Sequence, residues 1–137
     1  MYATTYAKAK DVADAVSQLK GADEGKLLAG GQTLIPTLKQ RLASSDCLID
    51  LSEAGLSGIS DEGGSIRIGA MTRHVEVETS KLVKKAIPAL ATLASGIGDR
   101  QVRNCGTIGG SVANNDPSAC YPSALLALGA TVHTDKR

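Results

Sequence analysis

Phenylalanine and tryptophan are absent from this chain, and tyrosine occurs only at Tyr2, Tyr6 and Tyr121. Its core must therefore be aliphatic, and the aromatic platform on which single-stranded nucleic acid usually stacks has nothing to be made from. Net charge is scarce as well: Lys and Arg number 15 against 14 Asp and Glu, leaving +1, far from the basic footprint a phosphate backbone selects. The longest apolar stretches, around 86–94 and 124–132, fall short of the ~20 residues a bilayer span needs. The N-terminus Met1-Tyr-Ala-Thr-Thr-Tyr-Ala-Lys8 lacks the apolar segment of a secretory signal. Cys47, Cys105 and Cys120 are odd in number and show no C-x-x-C spacing, which fits a reducing compartment better than a disulfide frame. His74 and His133 lie far apart and outside any H-E-x-x-H pattern, so no metal site is legible. These absences predict a cytoplasmic protein without nucleic acid, membrane span or metal.

With 42% hydrophobic and 21% charged residues, the composition is that of an ordinary globular protein. A chain of 137 residues suffices for one core or two small lobes. Glycine carries the most local information. Thr107-Ile-Gly-Gly-Ser111 precedes the loop Val112–Pro122, and Ala29-Gly-Gly-Gln-Thr33 follows the apolar run Lys26-Leu27-Leu28. Paired glycines let backbone N–H groups close on an anion, because no Cβ intervenes and positive φ costs little. Two such cradles predict a ligand with two phosphates, hence a dinucleotide. Each pair reads equally as a tight turn or a close crossing. Glu62-Gly63-Gly64, without hydroxyl neighbours on both sides or a following helix, is read as a turn only. The Gly96-Ile-Gly98 stretch has Gln101 where a Rossmann fingerprint requires glycine, and no P-loop pattern occurs.

Val12, Ala15, Val16 and Leu19 keep helical spacing within Asp11–Lys20, with Gly21 as its C′ residue. Lys26–Ala29 reads as a short buried strand, and Pro36 as part of a helix start with Ile35, Leu38 and Leu42 on one face. The first Gly-Gly would then join a strand to a helix N-terminus, where the dipole adds to the free amides. Cys47–Leu51 reads as a second buried strand, and 52–60 as the boundary between lobes 1–54 and 55–137. A hairpin is expected around Gly63-Gly64, then helices capped by Thr72 and Ser80, and another restarted by Pro88. Arg100 and Arg103 flank the central glycines, free to offset phosphate charge or to remain solvated. The tail reads as a helix over 124–128 ended by Gly129, followed by a strand, Ala130–Thr134.

Four stretches then carry a resemblance: Leu27-Leu-Ala-Gly-Gly-Gln-Thr-Leu-Ile-Pro36, Leu48-Ile-Asp-Leu51, Ile68-Gly-Ala-Met-Thr-Arg-His74 and Gln101-Val-Arg-Asn-Cys-Gly-Thr-Ile-Gly-Gly-Ser111. In this order they resemble the FAD-binding medium subunit of molybdenum hydroxylases, of the aerobic carbon monoxide dehydrogenase type and, behind it, the xanthine dehydrogenase family. The resemblance runs over essentially the whole chain but about the first half of the family's. It implies an α+β fold of two lobes with FAD between them, truncated before a C-terminal subdomain. It also implies cofactor contacts from Leu28, Ala29, Gly30, Gly31, Gln32, Thr33 and Leu34 in the first loop. Thr107, Ile108, Gly109, Gly110 and Ser111 would supply those of the second. No catalytic residue is implied on this chain. The implied partners are a molybdenum-cofactor large subunit and a [2Fe-2S] small subunit, with FAD passing electrons to an external acceptor. Where the family usually reads Asp-Pro-x-x-Asp-Tyr-Pro, this chain has Asp116-Pro-Ser-Ala-Cys120-Tyr-Pro122, which puts a thiol where an acidic cofactor contact is expected. Cys105 likewise replaces a residue that is often Arg or Val. A non-catalytic interaction module that keeps the fold without FAD is the alternative expectation.

Overall fold

A computed structural model describes residues 1–136. The chain opens with β1 (Thr5–Lys8), α1 (Val12–Gly21), β2 (Lys26–Leu28), α2 (Leu34–Lys39) and β3 (Cys47–Asp50). The three strands form a parallel sheet in the order β1-β3-β2, with Tyr6 opposite Leu48 and Leu27 opposite Ile49. Parallel neighbours need crossovers, and α1 and α2 supply them. The α1 start is set by Asp11, whose carboxylate accepts from the Asp14 N–H at 2.8 Å. Its inner stripe, Ala15 and Leu19, packs with Ala9 and Ile49 into a small core over the central strand.

Beyond the irregular stretch 51–58, β4 (Ile59–Asp61) and β5 (Ile66–Ile68) pair antiparallel across a turn in which Gly63 and Gly64 both have positive φ. Six short helices follow among the described residues: α3 (His74–Thr79), α4 (Lys81–Ala86), α5 (Pro88–Ser95), α6 (Arg100–Cys105), α7 (Ile108–Asn114) and α8 (Cys120–Ala127). The Ser80 hydroxyl caps α4, and Pro88 opens α5, where its missing N–H is harmless. Val77, Val83, Leu90, Ala91, Ala94, Ile108 and Tyr121 make a second, aliphatic core with Tyr121 as its only aromatic ring among the described residues. No helix among the described residues is long and apolar enough to cross a membrane.

Several local expectations are corrected. Among the described residues Ala130–Thr134 forms no strand and joins neither sheet, and Val132 is exposed. Instead Ala130 N–H closes back on Leu125 O at 2.9 Å across Gly129 at φ +61, a Schellman end that stops α8. Gly21 is the last residue of α1 rather than its C′ residue. Strand β2 is an edge strand, so Leu27 is exposed rather than buried. α2 ends at Lys39, which carries Leu42 off its inner face and leaves it 74% exposed while Leu38 is buried. Thr72 caps nothing. Its hydroxyl, fully buried, donates to Gly58 O and accepts from Gly58 N–H, tying the hairpin to α3. The start of α3 falls to Arg73, whose N–H is held by the Glu76 carboxylate at 2.7 Å.

Candidate functional site

The first glycine loop is the link between β2 and α2. Gly31 stands at φ +69, a left-handed conformation that costs an L side chain about 1–2 kcal/mol. Gly30 is needed for a different reason: a Cβ there would lie 2.2 Å from Cys105 O and 2.7 Å from the Gly106 Cα. The loop backbone thus presses directly against the end of α6. Ile35 N–H returns to Gly31 O, and the Gln32 side-chain amide donates to Gly30 O at 3.1 Å. No group among the described residues accepts from the N–H of Gly30, Gly31, Gln32 or Thr33. These donors are the unspent anion-binding capacity of the fold. With only six residues in α2, the amides themselves, rather than a long helix dipole, are what this loop offers.

The second glycine pair lies in the first turn of α7, where a loop was expected, and its amides are already committed. Thr107 caps the helix, its hydroxyl accepting from Gly110 N–H at 3.1 Å. Ile108 N–H goes to Thr72 O, Gly109 N–H to Ala70 O and Ser111 N–H to Thr107 O. The expectation of a second backbone cradle is therefore corrected. The glycine is there for packing: a Cβ on Gly109 would stand 2.5 Å from the Ala70 Cβ and 2.6 Å from Ala70 O. Thr107 itself is buried and bridges antiparallel to Arg73, which locks α7 to the start of α3.

Between the two loops runs a cleft of about 740 Å³. Ala29, Gly30, Gly31, Gln32, Thr33 and Leu34 line one wall, and Thr107, Gly109, Gly110 and Ser111 the other. Leu28, Ile108 and Cys120 do not line it. Leu28 is spent on the sheet, its carbonyl accepting from Leu51 N–H; Ile108 is buried in the second core; Cys120 is exposed at the start of α8. A smaller hollow of about 480 Å³, on Ile35, Pro36, Lys39 and Gln40, touches the first loop alone. Only the larger cleft brings both loops together.

Met71, His74, Val102, Gly106, Asn114 and Asp116 also line the cleft. His74, Met71, Val102 and Gly106 lie in stretches that carried the resemblance, and Asp116 in the stretch compared with the family's Asp-Pro pattern, so the signal was present. Asn114 lies outside those stretches and joins the wall through the fold. Among the charges, Arg103 is not left to solvent but committed inside the protein. Its Nε pairs with Glu78 at 3.0 Å, and its Nη1 donates to Ile97 O and Gly98 O. This clamp holds α6, and hence Cys105 and Gly106, against α3. Arg100 is exposed. Burial lowers the pKa of His74, and raises that of Tyr121 through loss of hydration. No cluster of three or more His, Cys, Asp or Glu able to hold a metal occurs among the described residues.

Residues 2–137 match the family model described as the FAD binding domain in molybdopterin dehydrogenase. The chain is 39% identical over 129 residues to the glyceraldehyde dehydrogenase medium chain of Sulfolobus acidocaldarius, covering 93% of this chain and 46% of the relative. It is 41% identical over 127 residues to the carbon monoxide dehydrogenase medium chain of Afipia carboxidovorans, covering 91% and 44%. In structure it is similar to a carbon monoxide dehydrogenase from Hydrogenophaga pseudoflava, with a TM-score of 0.90 at 41% identity over 92% of this chain and 45% of that one. The chain thus spans a little under half the length of these relatives. Its mixed α and β architecture is theirs, and by sequence and fold together it belongs to the FAD-binding domains of the molybdopterin dehydrogenases.

Proposed function

We propose that this chain binds FAD in the cleft between its two glycine loops and serves in the flavoprotein subunit of a molybdenum hydroxylase, between [2Fe-2S] centres and an external acceptor. The observation that carries this reading is the asymmetry of the cleft. One wall holds four N–H groups without acceptors among the described residues, at a glycine turn where a pyrophosphate can approach; on the other the glycine-pair amides are bonded internally and shape the space. Bound FAD exchanges electrons singly or in pairs, which suits a station between one-electron and two-electron carriers. The residues of this chain bind and orient. Gly31 supplies the left-handed turn, Gly30 lets the loop seat on α6, and Thr107, Gly109 and Gly110 fix the facing wall. The lobes taking part are 1–54 and 55–137, each with its own core. Leu28 and Ile108 support the two walls from behind.

Titration of the chain with FAD, followed by quenching of flavin fluorescence, tests the binding claim. Saturation in the micromolar range or tighter supports it. A folded chain that shows no saturable binding leaves the interaction module as the reading. Co-expression with a molybdenum-subunit and an iron–sulfur-subunit partner tests the assembly. A complex that forms with this chain but stays free of flavin would overturn the electron-transfer role.

A further inference from the structure

His74 is 95% buried by residue exposure of 5%, yet it belongs to the cleft wall. Its Nδ1 is buried without a partner, and no side-chain hydrogen bond engages either ring nitrogen among the described residues. Nε2, equally without a partner among the described residues, is not among the buried atoms, so it is the ring nitrogen that a molecule in the cleft can reach. The seat is built for this ring. A Cβ on Gly106 would lie 2.5 Å from Nε2 and 2.8 Å from Cδ2, so only glycine at 106 admits it. The backbone is fixed on the same side, His74 N–H donating to Gly106 O at 2.9 Å while Arg73 bridges to Thr107. Tyr121, fully buried with its own hydroxyl unpartnered, lies with its ring centroid 5.3 Å from that of His74. The wall that carries His74 is also the one whose glycine-pair amides are all consumed internally, so recognition there falls to side chains.

We propose that His74 is a ligand-contacting residue of the cleft, whose accessible Nε2 N–H donates to an acceptor oxygen of the bound dinucleotide. This rests on the FAD reading above and deepens it. The facing loop holds the ligand with backbone amides, and His74 holds it from the second wall with one side-chain donor. The oxygen belongs to a phosphate or to a sugar-alcohol hydroxyl. ADP and FMN, used as separate probes, divide the dinucleotide so that the half in contact is identified.

The test uses the full chain with its histidines labelled with ¹⁵N. His133 is assigned by H133Q, and FAD, ADP and FMN are added in turn. The expected result is a shift of the His74 ring nitrogens on FAD addition, reproduced by one of the two halves. His74→Phe, which keeps a ring but removes the donor, weakens FAD binding about tenfold, whereas His74→Gln, which restores an N–H near Nε2, recovers most of the affinity. Melting curves of both variants separate binding from folding, and the wild-type spectra need no variant at all. Ring-nitrogen signals that stay still at saturating FAD, or a folded His74→Phe with wild-type affinity, overturn the proposal. They would leave His74 as a packing residue seated on Gly106 and Tyr121. Wild-type chain that fails to bind FAD overturns the functional reading itself, and this proposal falls with it.

Discussion

Two glycine pairs with the same chemistry on paper do different physical jobs. At Gly30-Gly31 the amides are free, one φ is +69, and the loop is bare toward the cleft. At Gly109-Gly110 the neighbouring N–H groups are all bonded inside the protein, neither residue has positive φ, and the missing side chain makes room for Ala70. The difference teaches that a glycine pair is a binding element only where the fold leaves its amides unspent. Elsewhere it is a contact between elements.

The largest effect separating the loops is expected from Gly109→Val. Forcing a branched side chain against Ala70, 2.5 Å away at Cβ, should cost about 3 kcal/mol of stability by overpacking, seen as a lowered urea midpoint. Gly31→Val should cost less stability, about 1–2 kcal/mol for the left-handed φ, while the folded fraction loses FAD binding. Equal binding by folded Gly31→Val and wild type would erase the comparison.

Threonines beside the loops sharpen it further. Thr107→Ala removes a cap that holds Gly110 N–H and should cost about 1 kcal/mol. Thr33 makes no side-chain cap bond, so Thr33→Ala should leave the thermal midpoint nearly unmoved. Acid should also act on the second wall. Because burial holds His74 below its ordinary value, the unfolded chain takes a proton that the folded chain refuses as the pH falls below about 6.5. Stability is then fully present above that value and declines beneath it until the depressed folded pKa is reached. The slope is at most about 1.4 kcal/mol per pH unit for one group. Denaturant melts at neutral and mildly acidic pH should show this decline, and His74→Gln should flatten it. The smallest effect is expected from Cys120→Asp. A carboxylate in the first turn of α8 favours the helix by about 0.3–1 kcal/mol, with FAD affinity unchanged because residue 120 lies off the cleft wall. Tighter FAD binding by this variant would show that the side chain reaches the ligand after all.

What was legible in the chain was what rests on nearest neighbours and on period. The stripe of α1, the central strand β3, the Gly63-Gly64 hairpin, the Ser80 cap and the Pro88 restart all follow from a few adjacent residues. Gly31 as a turn before a helix was legible for the same reason. The readings that failed depended on partners far along the chain. A strand at Ala130–Thr134 needs a neighbour, the exposure of Leu27 depends on β2 being an edge, and the Thr72 hydroxyl chose Gly58 over a cap. Arg103 could be named as a cation near the glycines, but its commitment to Glu78 required α3 and α6 to pack together.

The sequence by itself determined an aliphatic core, the absence of a long apolar helix, the two places where glycine is paired and the family to which the chain belongs, because composition and local motif survive without coordinates. Only the tertiary structure decided which glycine pair has amides left to give, that the two loops share a cleft, and that His74 stands in its wall with a nitrogen unpaired. These are facts about where hydrogen bonds and volumes close between residues far apart in the chain, such as Gly30 and Cys105, and a local pattern carries no information on whether a distant acceptor has already taken the donor it displays.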